Sequence, residues 1–174
     1  MKEIERIIKS FEYLYDGEPW IGVNMVGTLE KITAEQAGKK IAINHNSIWE
    51  ITNHMISWRL NVLQRVKGKT MVSPDNNYIE PVTDQTETAW KNTLEQLKNS
   101  QQQWIDFLKT FSENDFEKVY QNNSMSYYEN IQGIILIDEG TKRSSFLQTP
   151  FSIDDLLRLL EVSLYGFNTL CMDI

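Results

Sequence analysis

Apolar residues return at three- and four-residue steps along four separate stretches of this chain, and that period selects helices. The clearest stretch follows Asn46. Ser47-Ile48-Trp49-Glu50 reads as a capping box, hydroxyl and carboxylate each meeting a free backbone N–H. Ile48, Ile51, Met55, Trp58, Val62 and Val66 then form an apolar stripe that ends at Gly68. Upstream, Ile4, Ile7, Ile8, Phe11, Leu14 and Tyr15 make one helical face. Asp16-Gly17-Glu18-Pro19 closes it, because glycine permits a left-handed C-cap and proline cannot continue the ladder. A third stretch, from about Thr83 to Phe111, carries Trp90, Leu94, Leu97, Trp104, Leu108 and Phe111 near heptad spacing, with Gln101, Gln102 and Gln103 as a solvated face. A fourth opens at Pro150-Phe151-Ser152, with Asp155 three residues after the cap, and buries Ile153, Leu156, Leu157, Leu160, Leu164, Phe167 and Leu170.

Two long connections separate these helices. In the first, Trp20 to Asn46, Met25, Leu29 and Ile32 suggest a short helical piece, and Thr33-Ala34-Glu35-Gln36 suggests another turn. In the second, Ser112 to Thr149, Asn122-Asn123-Ser124 marks a turn and Asp138-Glu139 reads as a loop turn before Gly140. Ile131 to Ile137 suits either a buried strand or part of a helix, since a short apolar run does not decide between them. No internal repeat or proline-rich linker divides the chain. The expectation is one all-α domain over residues 1–174, a four-helix bundle.

Composition narrows the function. With 17 Lys and Arg against 24 Asp and Glu, the formal charge is -7. That balance argues against an electrostatic nucleic-acid binder. No apolar run approaches the roughly 18 residues of a membrane span. The charged, periodic start Met1-Lys2-Glu3-Ile4-Glu5-Arg6 is unlike a secretory signal. Cys171 is the only cysteine, which excludes an intrachain disulfide and makes a cytoplasmic protein the default. There is no GxxxxGK[ST], GxGxxG, GxSxG, HExxH or CxxC motif. Two histidines and one cysteine leave little for metal or nucleophile chemistry. His45 precedes the second helix and reads as an exposed polar residue leading into the cap. His54 lies inside that helix, one turn after Glu50 and one turn before Trp58, so the three share a line beside the apolar stripe. Glu50 there either orients the imidazole or shares a cation with it. The alternative is a partly buried histidine satisfied by a neighbouring side chain. Of the five tryptophans, four fall in helical stretches and read as core. Asp154-Asp155 complements a helix dipole, and Cys171 is a small apolar residue.

The runs Gly17-Glu18-Pro19-Trp20, Thr33-Ala34-Glu35-Gln36-Ala37, Asn46-Ser47-Ile48-Trp49-Glu50-Ile51-Thr52-Asn53-His54 and Trp58-Arg59 are similar to the DinB-like (damage-inducible) superfamily. The similarity covers about residues 1–70, extends over the third helix and fades after Ser112. It implies an up-down-down-up four-helix bundle, commonly dimeric, in which three histidines hold a divalent metal. Some relatives of this kind are thiol transferases, some hydrolases or isomerases. His54 matches the first of the metal histidines. The other two belong to a last-helix pattern whose best counterpart is Val162-Ser163-Leu164-Tyr165-Gly166-Phe167-Asn168-Thr169-Leu170, with Val162 and Gly166 in the histidine positions. The resemblance therefore implies a degenerate metal site, with Glu50 and Glu161 as the candidate substitute ligands. Glu161 is turned roughly 100° from the lost position. The first functional expectation is a member without cofactor that binds a small molecule or a partner. The second is an enzyme of the thiol-transferase type that uses His54 and a divalent metal such as zinc or nickel. The third is a structural dimerisation module. A homodimer is expected, with the aromatic faces around Trp90 and Trp104 as its motive.

Overall fold

The computed structural model describes residues 1–17, 24–40 and 46–143, with side chains up to Leu136. Among the described residues six helices follow in order: α1 (Glu3–Tyr15), α2 (Met25–Leu29), α3 (Ala34–Gly38), α4 (Ile48–Val66), α5 (Glu87–Thr110) and α6 (Tyr127–Arg143). A single 3₁₀ turn, Glu113–Asp115, lies between α5 and α6. Among the described residues there is no strand, only an isolated bridge between Val119 and Ser126. The all-α expectation is met.

Local chemistry sets the ends of α4. Ser47 N donates to Glu50 Oε2 at 2.8 Å while Glu50 N donates to Ser47 Oγ at 3.2 Å, the reciprocal capping box read from the sequence. At the other end Gly68 takes φ +82°, a conformation open to glycine. Gly68 N then reaches Arg65 O at 2.8 Å and Lys69 N reaches Gln64 O at 2.9 Å, the paired bonds of a Schellman stop. Between these caps 15 of the 19 residues are buried, which makes α4 the central helix. It packs against α3, α5 and α6, and α1 also packs against α5 and α6, so the four long helices share one core.

Large aromatic rings fill that core. Trp104 is fully buried and stacks on Phe11, with centroids 5.2 Å apart and planes at 29°. Trp49 and Trp90 meet edge to face at 5.1 Å. Each buried indole N–H has an acceptor: Trp49 to Thr93 Oγ1, Trp90 to Ile32 O, and Trp104 to Arg59 O. Such rings combine a large apolar area with a polar edge that must be paired. Trp90 and Trp104 therefore lie inside the core.

Three readings are corrected. Asp138-Glu139 lie within α6 rather than in a loop turn, and Ile131 to Ile137, open between strand and helix in the sequence, is part of the same helix. Its start has a capping box of its own, Glu129 N to Ser126 Oγ at 3.1 Å and Ser126 N to Glu129 Oε2 at 2.7 Å. The third helix begins at Glu87, capped by Thr86, not near Thr83. Gln101 is buried, whereas Gln102 and Gln103 are exposed as expected. The helix expected from Pro150, together with Trp20, His45 and Cys171, lies outside the described residues.

Candidate functional site

His54 projects from the middle of α4 and is 3% exposed. One turn along, Trp58 lies at 6.5 Å between ring centroids, so the line beside the apolar stripe turns inward. Its orienting partner is different. Nδ1 lies 2.6 Å from the backbone oxygen of Asn77, and because a carbonyl only accepts, Nδ1 carries the proton. Nε2 is then the basic ring nitrogen. Burial drives the histidine pKa down to about 4, outweighing the upward pull of the Asn77 bond. The imidazole is neutral at physiological pH.

Asn77 also fixes Trp58, whose Nε1 donates to Asn77 Oδ1 at 2.9 Å. The asparagine reaches both rings because of its backbone. Asn77 and Tyr78 take φ of 53° and 60° in succession, and Ile79 N closes on Asn76 O at 2.9 Å. Two consecutive positive φ values define a type I′-like turn, tolerated by asparagine and uncommon for tyrosine. Tyr78 offsets this strain by packing edge to face on Trp58 at 5.4 Å and by its hydroxyl, which accepts from Asn61 Nδ2 at 2.7 Å.

Two arginines complete the setting. Arg65 is sandwiched between Trp58 and Tyr120, 5.2 and 5.3 Å from the ring centroids. Its Nε donates to Asn61 Oδ1 at 2.7 Å and its Nη2 to Ser73 Oγ at 3.0 Å, tying the loop after α4 to the helix. Arg59, 1% exposed, donates to Ser100 Oγ and Gln101 Oε1 and lies over Phe11. Gln101 Nε2 in turn donates to Phe11 O at 3.0 Å, so this polar network joins α1, α4 and α5. Asn77, Arg59, Arg65 and Gln101 are absent from the sequence-based site. The Asn76-Asn77 pair was the one available signal, since asparagine favours turns with positive φ.

Glu50 does not orient His54. One carboxylate oxygen accepts from Ser47 N and the other sits 2.9 Å from Lys40 Nζ, leaving Glu50 engaged at the helix start. A divalent metal requires three or four protein donors. Among the described residues no three His, Cys, Asp or Glu side chains converge. Glu161, Val162 and Gly166 lie outside the described residues.

Fold and site thus define an all-helical domain whose central, doubly capped helix carries one buried neutral histidine. The family model of the DinB superfamily matches residues 23–137, well over half of the chain, and the chain belongs to that superfamily. The match stops short of residues 161–170, so the last-helix correspondence is not part of it. No curated protein and no solved structure gives a significant match. No described helix is long and apolar enough to cross a membrane.

Proposed function

We propose that this chain is a metal-independent member of the DinB superfamily that binds a small molecule. The carrying observation is the engagement of both acid–base groups on α4. His54 is pinned through Nδ1 to Asn77, and Glu50 is held between Ser47 N and Lys40. These contacts give both residues structural work. A second reading, a divalent-metal enzyme of the thiol-transferase type, is favoured by one feature: ligating histidines commonly donate the other ring N–H to a backbone carbonyl, as His54 does.

Metal content per chain separates the two. Protein purified without chelator and dialysed should carry well under one equivalent of zinc, nickel, iron or manganese, and His54→Ala should leave that value unchanged. Stoichiometric metal that disappears in His54→Ala would overturn the proposal and restore the enzyme.

A further inference from the structure

Tyr15, at the end of α1, is a buried residue whose hydroxyl has no hydrogen-bond partner among the described residues. The residue is 9% exposed, and no described group donates to or accepts from it. A buried hydroxyl is ordinarily paired, because leaving it unsatisfied forfeits its bonds to water. This one lines a cleft of about 490 Å³ between α1, α2 and α5. That volume is in the range of small-molecule sites.

The walls have a definite chemistry. Leu29, Trp90, Leu94 and Leu97 supply apolar surface. Around it stand four carboxylates, Asp16, Glu30, Glu87 and Glu95, against two ammonium groups, Lys91 and Lys98. Some of these are committed: Lys98 pairs with Glu95 at 3.8 Å, and one Glu87 oxygen accepts from Ala34 N at 2.9 Å. After burial, the charge that acts most strongly on the Tyr15 hydroxyl is the Arg59 guanidinium, opposed by Asp16, Glu30 and Glu95, so the hydroxyl lies between a buried cation and the carboxylates of the cleft. Burial holds the phenol protonated, with its pKa pushed up to about 12. It is therefore neutral, and its oxygen can accept a hydrogen bond on the cleft side, where Asp16 and Glu30 stand.

We propose that this cleft binds an organic ammonium ion with an apolar body, the ammonium donating to Tyr15 Oη among the carboxylates and the body lying on Trp90, Leu94 and Leu97. The assignment deepens the ligand-binding reading and rests on it. The apolar walls exclude a bare inorganic cation as the preferred guest, and the carboxylate excess disfavours an organic anion.

The probes are tryptamine and indole-3-propionate, which pair the same apolar ring with opposite charges. Calorimetric titration of the full chain should show tryptamine binding at least tenfold more tightly than the propionate. Tyr15→Phe keeps the ring and removes only the unpaired hydroxyl, so the fold is retained. It should weaken tryptamine about tenfold, the scale of one hydrogen bond to a charged group. Glu30→Gln should also weaken it, and added salt should narrow the difference between wild type and this variant. Equal binding of both probes, unchanged affinity in Tyr15→Phe, or no tryptamine binding at millimolar concentration would each overturn the cleft assignment. The titration decides the cleft and the metal count decides the underlying reading, so the two failures are distinguishable.

Discussion

Protonation of His54 should act as an acid-sensitive load on the whole fold. The folded-state pKa is about 4, against 6.5 for an ordinary histidine. The unfolded chain therefore binds the proton more readily between these values, and stability rises with pH through that window. Above pH 6.5 the residue exerts no penalty. As pH falls toward 4 the loss grows to a limit of about 3 kcal/mol, the gap converted at 1.36 kcal/mol per pH unit. Linkage over the accessible interval from pH 7.5 to 5.0 amounts to about 2 kcal/mol. Carboxylates titrate mostly below this interval, and His45 is common to any pair of His54 variants. The suitable control is His54→Asn, whose side-chain amide can still donate toward Asn77 O but does not ionise. Urea unfolding at pH 7.5 and 5.0 should show wild type losing about 2 kcal/mol more than His54→Asn, a midpoint difference of about 1 M at a typical slope. The variant should be somewhat less stable at pH 7.5, because it loses ring packing against Trp58. If the two stabilities fall in parallel, to within about 0.5 kcal/mol, the imidazole is not held neutral by burial and the account of the site is wrong.

Two further substitutions probe the elements that position this histidine. Ser47→Ala removes a cap that is 1% exposed and should cost about 1–2 kcal/mol in urea unfolding; an unchanged midpoint would show that Glu50 N finds another acceptor. Asn77→Gly and Asn77→Ala both delete the Trp58 acceptor, but only alanine must also be forced to φ near 53°, so it should be less stable than the glycine variant by about 1 kcal/mol. Equal stabilities would mean that the turn relaxes and that its positive φ does not position Asn77.

Interactions spanning three or four residues were legible without a structure. The capping box at Ser47, the stop at Gly68 and the inward face of His54 all follow from side chains meeting their own helix, whereas α1 stops at Tyr15 without the left-handed cap expected at Gly17. Superfamily membership also came from the run leading into α4. Where a local signal was equivocal, tertiary contact made the choice: Ile131 and Ile134 are buried against the shared core, which settles α6 as a packed helix. The polar interior was not legible at all. Gln101 looks like part of a solvated face until Arg59 and Phe11 O are brought to it from two other helices. Glu50 is one turn from His54, yet Ser47 N and Lys40 hold it at the helix start. The group that orients the imidazole comes from 23 residues away, on a turn whose backbone had to pass through two positive φ values to present it. Periodicity reports which face of a helix turns inward, because that depends on neighbours along the chain. Which polar group meets another inside depends on how separate elements pack, and only the folded chain brings those partners together.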